Sequence, residues 1–267
     1  MTSFVVLTRP QGQNESLAAR LRDSGMDTLL LPGLLIQPLL DDPGLLPVPD
    51  DYDLLIFVSG SAARLYLDLY GRRRAPTPWP SSCWVATVGQ SSAGALYQAG
   101  CIPHAHIVHP DPAGGQDSKA LWERLQRTEQ RFERVLIVRG ETGREWLGQQ
   151  FEQAGASVRR YALYSRKPLH WTREQCHDLQ TRLDARATPV CVLTSGESID
   201  AVCLNIERNG LQEFWARARY VVIHERVARR LQSVFADAGG MTPDPVVKVC
   251  SPNDDAIFEM IASTASL

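Results

Sequence analysis

The chain contains the same strand-turn-helix pattern twice. VVLTRPQGQNESLAARLRDSG at 5–25 returns as VLIVRGETGREWLGQQFEQAG at 135–155, with Arg, Glu, Leu and Gly in one register at an offset of 130 residues. Each copy has an apolar strand, a polar turn that carries Arg, and a helix with apolar residues three and four apart that ends at Gly. This repetition predicts a duplicated α/β domain.

Two further segments recur at nearly the same offset. IFVSGSA around Ser59 matches VLTSGES around Ser195, and WVATVGQSSAGAL matches YVVIHERVARRL. We call the pattern at 5–25 and 135–155 the Arg-turn unit. Its first copy precedes the first copies of the other two units, and the second copies of all three follow in the same order. If the first Arg-turn unit joins the last units, one domain is interrupted by the other, and the chain crosses between them twice.

The positions of the repeats predict the domain boundaries. We expect a discontinuous α/β domain over 1–33 and 170–267, an inserted α/β domain over 40–157, and linker strands over 34–39 and 158–169. Each crossing follows a repeat copy and ends near Pro. A chain of 267 residues is long enough for each domain to bury its own core.

Composition narrows the class of partner. The net charge is −2, so no basic face indicates nucleic acid or an anionic membrane. Apolar runs are short and cut by Pro, which argues against a signal peptide or a membrane span. The expected protein is cytoplasmic and binds a small molecule or another protein. Its six cysteines form no C-x-x-C pair and are expected to be reduced.

The histidines of CIPHAHIVHPDP allow two interpretations. His104 and His106 would point the same way on a strand, as the ligands of a metal site do. His109 would fall on the opposite face, and no carboxylate or Cys stands at a matching spacing. A solvated strand end is favoured, and no metal site is predicted.

Two loops offer donors to an anion. GQSSAG follows Val88, and VSGSA contains Ser59; both place small and hydroxyl residues between a strand and a helix. Backbone N–H groups at a helix N-terminus suit carboxylates as well as phosphates. Ordinary N-capping of the helices is the alternative interpretation. The sequence contains no P-loop, G-x-G-x-x-G, H-E-x-x-H or G-x-S-x-G motif.

An ordered set of motifs carries a family resemblance. TRPQGQ before a Leu-rich helix, LIFVSGSA, VATVGQSSAGAL, VLIVRGETGRE, VRRYALYSRKP with its Y-x-R, and VLTSGES together resemble the uroporphyrinogen-III synthases. The resemblance spans nearly the whole chain. It implies two flavodoxin-like α/β domains with parallel sheets, joined by a two-stranded β ladder, one domain discontinuous in sequence, with substrate between them.

The resemblance also implies a reaction. Hydroxymethylbilane, a linear tetrapyrrole rich in carboxylates, loses water and closes to uroporphyrinogen III, with the last pyrrole ring inverted through a spiro-pyrrolenine. No cofactor is used. The expected protein is a monomer that makes at most transient contact with the enzyme that produces the bilane. The alternatives are a two-lobed tetrapyrrole-binding protein without cyclase activity and a structural scaffold without a ligand.

Tyr164 matches the tyrosine that the family is thought to use when the hydroxyl departs. An ordinary phenol stays protonated near neutral pH, so it would donate a hydrogen bond or a proton. The alternative is that Tyr164 packs the domain ladder. Tyr161, three residues earlier, would point to the opposite face of a regular strand.

Candidate groups for binding the substrate carboxylates follow from the matching motifs. Arg9 and Arg139 occupy the same place in the two repeats, so one of them can have a structural duty instead. The candidates are Thr8, Arg9, Ser59, Gly60, Ser61, Ala62, Gln90, Ser91, Ser92, Arg139, Gly140, Thr194, Ser195, Gly196 and His224.

The last repeat departs from the family pattern. VVIHERVARRL has His224 where the family usually shows Gly, and Val227 where it shows Thr. A bulky residue removes the close backbone approach that Gly permits. Either side chains from His224 to Arg226 replace backbone contacts, or the site is weakened here.

Overall fold

The structure, a computed structural model, describes residues 2–40, 42–73, 78–111, 114–237 and 245–267, apart from the side chains of Gln90 and Ser91. The chain forms two compact units. Met1–Leu35 and Lys167–Leu267 make up the first, and Ile36–Arg166 make up the second. The first unit is thus interrupted in sequence by the whole of the second.

Strands and helices alternate along most of the chain, except where two strands or two helices follow each other. The first elements are β1 (Ser3–Leu7), α1 (Glu15–Asp23), β2 (Asp27–Leu30) and β3 (Leu34–Pro38). The next are β4 (Leu54–Phe57), α2 (Gly60–Gly71), β5 (Trp84–Thr87), α3 (Gln90–Ala99), β6 (Ile107–Val108), α4 (Ser118–Gln126), β7 (Arg134–Gly140), α5 (Trp146–Gln153) and β8 (Ser157–Pro168). The last are α6 (Arg173–Asp184), β9 (Thr188–Leu193), α7 (Gly196–Asn209), α8 (Gln212–Arg217), β10 (Arg219–Val222), α9 (Glu225–Asp237), β11 (Val247–Val249) and α10 (Asp254–Ala265). Short 3-10 helices lie at Pro43–Leu45, Pro49–Asp51 and His104–His106.

The first unit is built on a five-stranded sheet in the order β11-β10-β9-β1-β2, and its pairings are parallel. Both faces of this sheet are covered. On β1, Phe4 and Val6 pack in one apolar cluster with α6 to α9, and Val5 and Leu7 pack in another with α1 and α10. Burial on both faces explains why β1 reads as a continuous apolar run without alternation.

The second unit is built on a six-stranded sheet in the order β3-β8-β7-β4-β5-β6. The pairs β4–β5, β4–β7, β5–β6 and β7–β8 are parallel. Helices α2 and α3 pack on one face, and α4 and α5 pack on the other. The predicted α/β class with parallel sheets is therefore confirmed.

The boundary between the units falls inside β3 and β8. These two strands are neighbours at one side of the second sheet, and the N–H of Leu39 donates to the carbonyl oxygen of Leu163 over 2.9 Å. The second unit is longer than the predicted 40–157 because both crossing strands pair within its sheet.

The two Arg-turn repeats end as the sequence predicts. Helices α1 and α5 each stop two residues before a glycine, Gly25 with φ +83° and Gly155 with φ +90°. This left-handed backbone favours Gly. No helix in the described part of the chain combines the length and apolar character needed to cross a membrane.

Candidate active site

Each sheet has a position where the order of strand addition reverses direction. In the first unit the reversal lies between β1 and β9, and in the second it lies between β4 and β7. Ligands of such folds bind outside the carboxyl ends of the strands at this switch point. The predicted site residues fall into two groups, one at the carboxyl end of each sheet.

Tyr164 lies where the register of β8 shifts. Arg139 on β7 pairs with Ala162, but the next pair is Gly140 with Tyr164, so Leu163 is an extra residue. Such a bulge interrupts the alternation of side chains. Leu163 and Tyr164 both belong to the apolar cluster under α2 and α3, and Tyr161 packs against the same cluster. The prediction that Tyr161 faces away from it is wrong because it assumed a regular strand.

The hydroxyl of Tyr164 has two polar neighbours. Its oxygen lies 2.9 Å from Oγ of Ser59, and either group can donate. Nη2 of Arg166 donates to the same oxygen over 2.9 Å, with the guanidinium carbon 5.3 Å from the ring centre. The side chain of Tyr164 is fully buried, at 0% exposure. The phenol is therefore held in one orientation by side chains from β8 and from the loop after β4.

Ser59 connects the tyrosine to a helix. It is the N-cap of the 12-residue α2 in an extended conformation, and its Oγ accepts from the backbone N–H of Ala62 over 3.1 Å. Gly60 and Ser61 form the first turn, where a helix carries partial positive charge. A Cβ on Gly60 would lie 3.0 Å from Nη1 of Arg64, so this guanidinium lies over the same turn. Ser59 therefore caps α2, and the same turn stays a candidate for binding an anion.

The second predicted loop of this unit begins α3. Gly89 is its N-cap, in an extended conformation with no side-chain capping bond. Ser92 is 5% exposed, and its N–H donates to the carbonyl oxygen of Gly89 over 3.1 Å. The side chains of Gln90 and Ser91 lie outside the described residues.

The guanidinium of Arg139 is engaged within its own turn. Nη1 forms an ion pair with Glu145, and Nε donates to the carbonyl oxygen of Gly140 over 3.2 Å. Arg160 donates to the other oxygen of Glu145 over 2.6 Å. Hydrogen bonds from Arg139 and then Arg160 hold the pKa of the Glu145 carboxyl below its usual range. A substrate carboxylate would have to compete with Glu145 for Arg139.

The equivalent arginine of the first unit has another partner. Nη2 of Arg9 lies 2.7 Å from Oδ1 of Asp254, at the start of α10. Arg9 and Arg139 thus share a place in the repeat but not a partner.

Thr8 has a structural contact. Its side chain is fully buried, and its hydroxyl donates to the carbonyl oxygen of Val192 over 2.6 Å, which ties β1 to β9. The hydroxyl proton of Thr8 is therefore already used within the sheet.

Thr194, Ser195 and Gly196 follow β9 at the switch point. Ser195 is the N-cap of the 14-residue α7, and its Oγ accepts from the N–H of Ser198 over 3.0 Å. Oγ of Ser198 accepts in turn from the N–H of Ser195 over 3.1 Å. This capping box fixes the loop and aims the N-terminus of α7 beyond the carboxyl end of the sheet.

The departure in the last repeat has a local explanation. Nδ1 of the exposed His224 accepts from the N–H of Arg226 over 3.1 Å, so the imidazole caps α9. An imidazole that accepts at Nδ1 carries its proton on Nε2, which makes Nε2 a donor. Val227 is 1% exposed and packs in the core of the first unit. His224 and Val227, which differ from the family pattern, therefore both make structural contacts.

Arg166 was missed among the site candidates. It stands two residues after Tyr164 on β8 and therefore projects to the same side of the strand. The Y-x-R spacing within VRRYALYSRKP was the sequence signal that could have identified it.

The three histidines do not form a strand face. His104 and His106 lie in a 3-10 turn that starts after Pro103, and β6 begins only at Ile107, so the predicted strand at these histidines is wrong. Pro fixes the φ angle that such a turn needs. Among the described residues, no group of three or more His, Cys, Asp or Glu could hold a metal ion.

Most of the chain matches one protein family. The family model described as Uroporphyrinogen-III synthase HemD matches residues 15–235. The chain is 27% identical over 229 residues to uroporphyrinogen-III synthase of Escherichia coli (strain K12), which covers 84% of this chain and 89% of the relative. It is 28% identical over 235 residues to the synthase of Salmonella typhimurium (strain LT2), which covers 84% and 88%.

Two solved structures share the fold. Uroporphyrinogen-III synthetase from Helicobacter pylori 26695 superposes with a TM-score of 0.56 at 15% identity, over 98% of this chain and 99% of that one. A mutant uroporphyrinogen III synthase from the extremely thermophilic bacterium Thermus thermophilus superposes with a TM-score of 0.55 at 15% identity, over 99% of both chains.

Proposed function

Because the chain belongs to the uroporphyrinogen-III synthase family, we propose that it closes hydroxymethylbilane to uroporphyrinogen III with inversion of the last pyrrole ring and loss of water. The placement of hydroxyl groups and helix N-termini at the switch point of each sheet carries this proposal. Such positions are where α/β sheets of this kind bind ligands.

Helix N-termini offer a way to bind several carboxylates without a basic protein. Helices α2, α3, α7 and α9 all begin at the carboxyl ends of their sheets. Each N-terminus carries partial positive charge and backbone donors. A net charge of −2 is therefore compatible with a polyanionic substrate.

Side chains add to these helix ends. We assign substrate contacts to the cap and first-turn residues and to the Nε2–H of the exposed His224. Thr8 and Arg139 we assign to structural contacts, because the Thr8 hydroxyl donates to Val192 and Arg139 is bonded to both Glu145 and Gly140 within its own turn. The remaining proposed contacts are Arg9, Ser59, Gly60, Ser61, Ala62, Gln90, Ser91, Ser92, Gly140, Thr194, Ser195 and Gly196.

The reaction requires that the substrate is held in a defined geometry and that one proton is supplied. The pyrrole nitrogen drives out the hydroxymethyl oxygen as water and leaves an azafulvene cation. The substituted carbon of the last ring attacks that cation to form the spiro-pyrrolenine, and fragmentation with reclosure inverts the ring. Positioning accelerates such steps without a strongly reactive side chain, and oriented dipoles stabilise the transient cation. We assign the source of the proton for the leaving hydroxyl to Tyr164.

We further propose a monomer that acts in the cytoplasm. Free bilane closes spontaneously to the non-inverted isomer, which favours a rapid transfer from the enzyme that makes it. A transient contact with that enzyme would shorten the exposure of the bilane to water. Scattering of the protein alone and in the presence of that enzyme tests both the monomer and the contact.

Turnover distinguishes this function from binding alone. The purified protein would receive a large excess of fresh hydroxymethylbilane, and oxidised porphyrin would be counted per protein molecule against a protein-free blank. Many product molecules per protein above the blank support the synthase. One bilane retained per protein, with closure at the blank rate, would indicate a tetrapyrrole-binding protein and overturn the proposal.

A further inference from the structure

The contacts of Tyr164 raise a question about how its proton reaches a substrate. The phenol is fully buried, whereas its hydrogen-bond partner Ser59 is only half-buried and lies at the carboxyl end of β4. A group that delivers a proton must come within hydrogen-bond reach of the acceptor. The partly exposed Ser59 is open to an acceptor that arrives from solvent, whereas the phenol of Tyr164 is enclosed by protein.

The donors and acceptors set the direction of the hydrogen bonds that run from Arg166 through Tyr164 to Ser59. A guanidinium only donates, so the Tyr164 oxygen accepts from Arg166. Oγ of Ser59 accepts from the N–H of Ala62 at the start of α2. When Tyr164 also donates to Ser59, both acceptor sites of Ser59 Oγ are filled. The hydroxyl proton of Ser59 then points to a third group.

We propose that Ser59 gives the proton to the departing hydroxymethyl oxygen, that Tyr164 replaces the proton of Ser59, and that Arg166 stabilises the resulting phenolate. This inference rests on the proposed function. Ser59 is the catalytic residue of this relay, and Tyr164 and Arg166 act through it. Arg166 stabilises the phenolate because charge-assisted hydrogen bonds to an oxyanion are stronger than neutral ones.

The step balances in atoms and charge. The C–O bond breaks with its electron pair on oxygen, and this oxygen takes the Ser59 proton and leaves as water. Ser59 takes the phenol proton, so the negative charge is on Tyr164 beside Arg166 and the positive charge is on the azafulvene. The C–H proton released when the macrocycle closes returns through Ser59 to Tyr164.

The main test compares Ser59→Ala, Tyr164→Phe and the double variant by steady-state kinetics. We expect each single variant to lower kcat by about 10²-fold or more with little change in KM. The double variant should be no slower than the slower single one, because the two groups act as a unit. Ser59→Thr keeps the hydroxyl and should retain most of the turnover.

A matched control removes a helix cap elsewhere. Thr172 caps α6 through the same type of bond, with its Oγ1 accepting from the N–H of Gln175 over 3.2 Å. Thr172→Ala should lose stability as Ser59→Ala does but keep kcat. For Arg166→Met, the control is Arg159→Met, since Arg159 donates to another tyrosine hydroxyl, that of Tyr52, over 3.1 Å.

A second measurement separates proton transfer from packing. The single-turnover rate would be followed in mixtures of H2O and D2O. If two protons move in the measured step, the wild-type rate should follow a curve when it is plotted against the deuterium fraction. In Ser59→Ala this curvature should be lost. Arg166→Met should lower kcat about tenfold or more, with partial rescue in Arg166→Lys.

The possible results are distinguishable. Wild-type turnover with a Ser59→Ala kcat within about twofold of it overturns the relay and leaves the synthase function standing; raised KM alone would then make Ser59 a carboxylate contact. The relay is also overturned if the double variant loses kcat by the product of the two single-variant factors, since the two residues would then act independently. A wild type that does not turn over bilane overturns the proposed function itself.

Discussion

Gly140 lies directly against the ring of Tyr164. A Cβ built on Gly140 would fall 3.1 Å from Cε2 and 3.2 Å from Cζ of the phenol, closer than such carbon atoms normally approach. The two residues are also paired across β7 and β8, immediately after the extra residue Leu163. Glycine at this position therefore lets the phenol lie where Ser59 can reach it.

Gly140→Ala should displace the phenol. We expect a loss of about 1 kcal/mol in stability from overpacking and a kcat lower by about tenfold, because small misplacements of a reacting group are costly. Gly94→Ala is the control: a Cβ there meets nothing within 4 Å in α3. Helix propensity predicts that it is neutral or stabilising. Unchanged kcat in Gly140→Ala would show that the exact placement of the phenol does not matter.

Thr8→Val tests whether the threonine serves the sheet or the substrate. The variant removes the hydrogen bond to the Val192 carbonyl oxygen and should lower the free energy of unfolding by about 1 kcal/mol. Thr8→Ser keeps the hydroxyl and should lose less. Thermal unfolding and KM would be measured together. Raised KM with unchanged stability would support the binding role that the sequence suggested.

Glu145→Gln should weaken the second Arg-turn repeat. The variant leaves Arg139, which is 8% exposed, without its carboxylate. Glu145 itself is 48% exposed at the side chain, and solvent screening limits the expected loss to about 1 kcal/mol.

The effect of Glu145 should depend on pH in a defined direction. Arg139 and Arg160 lower the pKa of this carboxyl in the folded protein from its ordinary 4.5. The stabilisation is therefore fully present above about pH 4.5 and is lost as pH falls through the folded-state pKa. Unfolding temperatures of wild type and variant should differ at pH 7 and converge in acid. Glu129→Gln, at an exposed position, is the control; a difference that persists in acid would contradict the ion-pair explanation.

His224→Asn separates the two possible uses of the imidazole. Asparagine keeps an acceptor that can cap α9, but it lacks the Nε2–H of the imidazole. If that group holds a substrate carboxylate, KM should rise about 3- to 10-fold with kcat unchanged. His177→Asn, on the exposed surface of α6, should leave KM as it is. The same KM in both variants would restrict His224 to capping.

Local patterns in the sequence were enough to predict the repeated elements. The strand-turn-helix units and their terminal glycines Gly25 and Gly155 are set by apolar periodicity and backbone conformation, which act within a few residues. The interruption of one unit by the other followed from the order of the repeats.

Contacts between distant segments could not be predicted in this way. The acceptor for Thr8 lies 184 residues along the chain, on another strand. The extra residue Leu163 falls in a run where Tyr161, Leu163 and Tyr164 are all suited to a core, so alternation alone did not reveal the shifted register. His224 is outside the residues usually recognised as helix caps.

The most direct measurement identifies the isomer that the protein makes. Hydroxymethylbilane would be supplied to the purified protein, the products oxidised, and porphyrin isomers I and III separated by chromatography. Predominant isomer III, formed at a rate proportional to protein concentration, is the predicted result. Isomer I at the rate of the protein-free blank would contradict ring-inverting closure by this protein.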